Sequence, residues 1–433
     1  MAARPTSHCP SPALNVICSV VAPLGWFRGL MIGSGLDAGV KDGVDIFSIS
    51  IGSQYTPLDQ DVVAIGSFAA VKKGIFVSCD AGNDVPDNFT LANEAPCVLN
   101  VAASRVDRRF RASVKLPNGK VYEAHNKLPK DVATFVKSHD ANALIFIAPK
   151  LEGATVIITE LDFPGIWLAS QDGSNLIYYL ISSSDPSASI VFDGTDLGIS
   201  PTLVVAYFSS WGPSRAMPGI LKPDISGPGL NILEGWISSN DTPGYAIRSG
   251  TSLSTPHLSD VATLLKATHP TWSLAAIKSA FVTTADANMF DERRLRLLHL
   301  RQIRQKGTRN MARGVVDCSK SMTEEKLNYP SILVALKVRA TTKVSRTVTN
   351  VGPTRSSYTI SVTVSKTFMS ATITLKILTF TKLNEQKSFT VRGEWGVDGP
   401  STSDIKFVEG KLTWTSDDGK HVVTSSLVIS APK

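Results

Sequence analysis

With 433 residues, of which 43% are hydrophobic and 19% charged, the chain has ordinary globular composition and a length suited to about two or three domains. No apolar run reaches the roughly 20 residues of a membrane-spanning helix, so no membrane partner is expected. The net charge of +7 is concentrated: Arg293, Arg294, Arg296, Arg301, Arg304, Lys306, Arg309 and Arg313 face only Asp291 and Glu292 in the same stretch, which argues against a general nucleic-acid surface.

Five cysteines (Cys9, Cys18, Cys79, Cys97 and Cys318) fit neither a disulfide scaffold nor a zinc spacing, and no metal or other cofactor is expected. Residues 1–34 read as irregular. Their one apolar run, 13–24 (ALNVICSVVAPL), reads as a buried strand in preference to a signal peptide. A short helix carrying Leu36, Ala38, Gly39 and Val40 ends at Asp42-Gly43. Residues 44–52 (VDIFSISIG) follow as a strand whose near-continuous apolar run suits a sheet buried on both faces. A helix over 61–73, closed by Gly74, leads to strands at 75–79 and 98–103. Strand–helix–strand repetition at this spacing predicts a parallel α/β sheet.

Residues 113–200 read as a small inserted module, with strands at 143–148 and 154–158 and a helix near 175–181. The α/β pattern resumes at 203–208, and 209–214 and 221–229 read as tight loops. Then comes Ser249-Gly250-Thr251-Ser252-Leu253-Ser254-Thr255-Pro256-His257, a glycine-led turn running into a helix with Leu258, Val261, Ala262, Leu264 and Leu265 at helical spacing. A serine here lies at a helix mouth, where unpaired N–H groups and the positive dipole end favour developing negative charge. Pro256 is placed in the first turn, where its missing N–H costs nothing. On its own the motif reads rather as a Ser/Thr cap before a core helix. A further helix is capped by Ser273. Residues 287–326 are Arg-rich and break the rhythm. From 327 the period becomes two, over 347–351, 358–364, 388–391, 410–415 and 421–424, which predicts an all-β sandwich.

In this order the blocks resemble the plant-type subtilisin-like serine proteases, the subtilases. GTSLSTPH is similar to the nucleophile motif, with Leu253 where Met is usual, and FSSWGPS to the loop before it, with Trp211 where Arg is usual. ILKPDISGPGLNIL, HPTWSLAAIKSAFVTTA, KDGVDIFSISIG, GSFAAVKKGIFVSCDAGND and NEAPCVLNVAASRVDRRF resemble further family blocks, as do VSRTVTNVG and LNYPSI near the C-terminus. The resemblance implies an α/β class fold: a parallel-sheet subtilisin-like domain (1–112 and 201–286), a protease-associated insertion (113–200), an atypical linker (287–326) and a fibronectin-III-like sandwich (327–433). It implies that Ser252 is the nucleophile and that Asn83, with the Ser252 N–H, binds the oxyanion. Taken alone, Asn83 is a turn residue. Ser50, Ile51 and Gly52 match the edge that pairs with a substrate backbone, with Gly82 and Thr251 beside the reacting groups; a plain strand end is the alternative for the first three. The implied partner is a polypeptide, and the implied location is extracellular, in the cell wall or apoplast. The sequons Asn88-Phe89-Thr90 and Asn240-Asp241-Thr242 permit glycosylation.

The family also uses an Asp in an Asp-Thr/Ser-Gly turn and a His in His-Gly-Thr-His, both upstream of the block at 35–52. Neither motif occurs in this sequence. None of His8, His125, His139, His257, His269, His299 and His421 has that context. In subtilisin itself, the source of the measured values, loss of the serine or the histidine alone lowers kcat by about 10⁶. The chain is therefore expected to be an N-terminally truncated member without turnover. The alternatives are a peptide-binding pseudoprotease and a non-functional gene fragment.

Overall fold

The structure, a computed structural model, describes residues 16–19, 27–52, 54, 56–84, 87–125, 135–136, 138–139, 141–147, 157, 163–200, 204–237, 242–285, 324–336, 341–365, 369–395 and 407–430. It comprises two compact units: Met1–Val101 with Ser210–Ile225 and Thr255–Lys433, and Ala102–Ser209 with Ser226–Ser254.

The chain opens with strand β1 (Val16–Ser19), helix α1 (Phe27–Lys41), β2 (Ile46–Ile49), α2 (Val62–Lys72) and β3 (Phe76–Asp80) in the first unit, and β4 (Leu99–Arg105) runs from it into the second. β1, β2, β3 and β4 are neighbours in that order, and each adjacent pair is parallel. Both β2 and β3 are buried along their whole length, as a continuous apolar run requires of a sheet covered on two faces. Phe47, Ile49, Val77 and Cys79 point to one face and pack with Leu36, Val63, Ala64 and Ala70. Ile46, Phe76, Leu99 and Val101 point to the other and pack with Leu258, Ala262, Ile277 and Phe281. Burying each large side chain of these layers contributes about 1.5–3 kcal/mol.

The Asp61 carboxylate caps α2 by accepting from the Val63 N–H at 2.9 Å. Gly74 closes that helix in the left-handed region, with φ +85°. Residues 27–34, expected to be irregular, are helical. Glycines allow the close packing of this helix on α2: a Cβ on Gly33 would touch Val62 Cγ1 at 3.4 Å, and one on Gly66 would collide with Leu36. The run at 13–24 does contain a strand, β1.

In the second unit β5 (Arg109–Lys115), β6 (Val121–His125), β7 (Leu144–Ile147), β8 (Gly165–Leu168) and β9 (Ser189–Asp196) form a sheet ordered β7-β8-β6-β5-β9, with α3 (Ser170–Ser182) before the last strand. The sheet begins at Arg109, upstream of the boundary expected at 113. The strand expected at 154–158 lies outside the described residues apart from Ile157, and the Arg-rich stretch is undescribed from 286 to 323. Residues 203–208 form no strand among the described residues: Val205 makes a single antiparallel bridge to Ser104 before the chain turns, with the Ser209 N–H on the Ala206 carbonyl at 3.0 Å.

Residues 225–230, part of an expected loop, form β10 (Ile225–Leu230) at the end of the first sheet, after β4. Pro228 is admissible there because an edge strand need not donate every N–H. β11 (Ile232–Ile237) and β12 (Pro243–Arg248) make a separate antiparallel ribbon. The stretch Ser249–His257 runs into α4 (Thr251–Thr268). α5 (Leu274–Thr284) follows, and its Ser273 cap accepts from Ala276 N at 3.2 Å as expected.

The sandwich belongs to the first unit. β13 (Ile332–Ala335), β20 (Val422–Ser430), β19 (Phe407–Ser416), β15 (Ser356–Val364) and β17 (Ile377–Phe380) form one sheet in that order. β14 (Thr342–Thr349), β18 (Gln386–Trp395) and β16 (Met369–Ile373) form the other. Val334, Val391, Leu412, Trp414 and Ile429 are among the buried side chains of its core, and Phe389 meets Trp414 edge-on at 5.3 Å.

Candidate active site

In a parallel sheet the chain leaves each strand at the same edge, so loops after neighbouring strands converge there. β2 and β3 are parallel neighbours, with Ile49 opposite Cys79. Residues 50–52 therefore emerge beside the turn carrying Gly82 and Asn83. Ser50 and Ile51 are half-buried and Gly52 is exposed. Gly82 is buried at φ +97°, a conformation only glycine adopts without strain, and a Cβ there would meet Ser210 Oγ at 2.8 Å. The turn is pinned by Ser210, whose N–H donates to the Gly82 carbonyl at 3.0 Å and whose Oγ accepts from the Asp84 N–H at 3.1 Å. Asn83 stands exposed between these two anchors. The structure thus brings Ser50, Ile51, Gly52, Gly82 and Asn83 to one sheet edge.

Ser252 and Thr251 lie in the second unit, at the first turn of α4, Thr251 fully buried and Ser252 half-buried. The approach to this turn is fixed on both sides. Ser249 Oγ accepts from the Asn231 N–H at 2.9 Å, and the Gly250 N–H donates to the Gly229 carbonyl at 2.8 Å. Ser254 Oγ anchors the turn by donating to the Gly227 carbonyl at 3.0 Å. Pro256 is in the second turn, not the first. It therefore supplies no N–H for the Ser252 carbonyl four residues earlier. His257, five residues on, is exposed and about 140° round the helix from Ser252. Among the other described histidines, His139 accompanies Phe135 and His269 stacks on Trp272 at 4.1 Å.

A buried charge cluster also went unread in the sequence, although the blocks ILKPD, AIKSA and LNYPS carry it. The Asp224 carboxylate receives Lys222 Nζ at 2.6 Å, Lys278 Nζ at 3.3 Å, the Asn100 N–H at 2.8 Å and the Tyr329 hydroxyl. Lys278 Nζ also donates to the Val98 carbonyl at 2.6 Å and to Tyr329 Oη at 2.5 Å. One carboxylate compensates one ammonium. Burial pushes Asp224 up, but Lys222 and then Lys278 hold it below its ordinary range. Burial depresses the surplus ammonium, Lys278, to about 7 against the pull of Asp224. Burial, and then the Asp224 charge, raise the Tyr329 phenol, so it remains a donor. Lys222 and Asp224 are two residues apart, but Asn100, Lys278 and Tyr329 come from distant segments, so no local spacing announces the whole site. Among the described residues no group of three His, Cys, Asp or Glu side chains could hold a metal ion.

A covered parallel sheet with helices on both faces, glycine-shaped turns at its strand ends and a serine at a helix mouth define an α/β protein of the subtilisin-like class, here joined to a β-sandwich. Residues 25–312 match the model of the subtilase family, and residues 326–429 match that of the fibronectin type-III domain. The chain belongs to the subtilase family. It is 30% identical to subtilisin-like protease SBT1.7 of Arabidopsis thaliana over 98% of this chain and 69% of that protein. It is also 30% identical to SBT1.5 of Arabidopsis thaliana, covering 65% of it, and to SBT3 of Solanum lycopersicum, covering 64% of it. The chain thus spans about two thirds of the length of the curated relatives it matches. Among solved structures Sphericase aligns with a TM-score of 0.32 at 17% identity, over 59% of this chain and 53% of that one.

Proposed function

We propose that the chain carries the peptide-binding edge and nucleophile of a subtilisin-like serine endopeptidase but does not turn over peptide bonds by itself. Ser252 is the nucleophile in this reading, and Asn83 with the Ser252 N–H is the oxyanion hole. Residues 50–52 pair with an extended polypeptide by adding a strand to a sheet edge, flanked by Gly82 and Thr251. The observation that carries the second half is the context of the seven histidines: none stands in His-Gly-Thr-His, so Ser252 keeps its proton at neutral pH. The relatives are named proteases, one of them the CO(2)-response secreted protease of Arabidopsis thaliana, which supports a polypeptide partner and an extracellular location. No helix among the described residues is long and apolar enough to cross a membrane.

A fluorophosphonate probe tests the assignment. The purified 433-residue chain is expected to label at Ser252 at least about 10³ times more slowly than an active subtilase. Labelling at a rate matching the active enzyme would overturn it.

A further inference from the structure

The 50–52 edge and the Gly82-Asn83 turn belong to different loops, and one side chain holds both. Asn93 lies in the segment between β3 and β4 and is 3% exposed. Its Nδ2 donates to the Ile51 carbonyl at 3.2 Å, to the Asp80 carbonyl at 2.9 Å and to Asp80 Oδ1 at 3.0 Å. Ile51 is the middle residue of the edge, and Asp80 ends β3 just ahead of the Gly82 turn. The backbone makes the same connection beside it. The Ala92 N–H donates to the Ala81 carbonyl at 2.9 Å, and Ala92 forms an antiparallel bridge with Gln54. Gln54 Nε2 in turn donates to the Thr90 carbonyl at 2.7 Å and to the Asp84 carboxylate. From β4, Asn100 Nδ2 donates to the carbonyls of Ala92 at 2.9 Å and Asn93 at 3.1 Å, which locks the wedge against the sheet.

The fit is close on the exposed side too. A Cβ on Gly52 would meet Asn93 Nδ2 at 2.6 Å. Asn93 also adopts φ +55°, in the left-handed region that asparagine tolerates better than most residues. A residue needed only for that turn would be replaceable by glycine. A residue needed for its amide would not.

We propose that Asn93 is a positioning residue: its amide sets the spacing between the 50–52 edge and the Gly82-Asn83 turn, and so the width of the groove that receives an extended peptide backbone. The assignment of that groove rests on the peptide-binding reading above; the spacing itself does not.

The test is Asn93→Gly in the full chain, read by amide hydrogen exchange and by binding of an end-capped, fluorescein-labelled hexa-alanine peptide. Glycine keeps the backbone turn and deletes the amide. Exchange at residues 51–54 and 81–84 is expected to rise about tenfold, with protection in β2 and β3 retained and peptide affinity down about tenfold, the range of one or two lost hydrogen bonds. Unchanged exchange at both segments overturns the proposal. If the wild type does not bind the peptide while Asn93→Gly still loosens both segments, the peptide-binding reading fails and the positioning role stands. Should Asn93→Gly fail to fold, Gly52→Ala displaces the amide from the other side. Faster exchange at 81–84, across from the substitution, then supports the proposal, and native exchange there overturns it.

Discussion

Tyr329 shows how much one hydroxyl carries in this fold. It donates to a carboxylate with no exposed side-chain surface and accepts from Lys278. Tyr329→Phe keeps the ring among its apolar neighbours but leaves a buried charge short of one donor, so a loss of about 1–3 kcal/mol is expected by urea unfolding. The same cluster sets a pH dependence with a definite sign. Folded Lys278 releases its proton near 7, whereas the unfolded lysine holds it to near 10.5. Above pH 7 the unfolded chain therefore binds more protons, and stability rises with pH; below 7 both states are charged and the full burial penalty stands. The clean window is pH 7 to 9, because the folded Cys79 and Cys97 thiols are raised above 9.0 and tilt stability the other way at higher pH. Lys278→Met removes the surplus ammonium and is expected to flatten the slope of unfolding free energy between pH 7 and 9. An unchanged slope would assign the effect elsewhere.

At the scale of elements, β10 and the mouth of α4 share one tight contact. A Cβ on Gly229 would lie 2.7 Å from the Gly250 carbonyl oxygen and 2.8 Å from Ala103 Cβ, and would strike Ser254 Oγ. Gly229→Ala therefore has to move the turn that presents Ser252, and about 1–3 kcal/mol of destabilisation is expected in chemical denaturation. A neutral result would show that the turn is looser than its contacts imply. This strand also marks where sequence reading stops. β2, β3 and α2 were legible because their apolar spacing and caps are local, and Ser273 was legible as a cap for the same reason. Ile225-Ser226-Gly227-Pro228-Gly229 reads as part of a loop because its strand character comes from its neighbours across the sheet, not from its own side chains. The helical start of α1 at 27–34 was likewise not legible, since the close packing of α1 on α2 at Gly33 and Gly66 is a tertiary fact. The turn residues Gly82 and Asn83 and the helix-mouth serine were visible as motifs. Asn93 was not, because its three acceptors come from segments its own sequence context does not name.

For the molecule as a whole, the lead-in to the sandwich ties two cores of the first unit together. Leu327 and Tyr329 pack into the core that contains Phe47, Val77 and Ile220, while Ile332 and Val334, a few residues on, are buried in the sandwich. Arg346 of β14 holds the crossing strand in place. Its buried guanidinium donates to the carbonyls of Tyr329 at 2.9 Å, Ser331 at 3.1 Å and Ser345 at 3.0 Å, and burial lowers its pKa to about 10, so it stays charged at neutral pH. Unfolding either core must pull this segment, and with it the Tyr329 hydroxyl, out of the other. The α/β core of the first unit and the sandwich are therefore expected to melt in one calorimetric transition. Arg346→Met leaves three carbonyls without their donor and loosens the segment without touching either apolar core. It is expected to split that transition, with the sandwich, followed by amide hydrogen exchange in β19 and β20, unfolding at lower temperature than the parallel sheet. If the variant still melts as a single peak, the coupling resides in the apolar contacts of Leu327 and Tyr329 and not in the guanidinium.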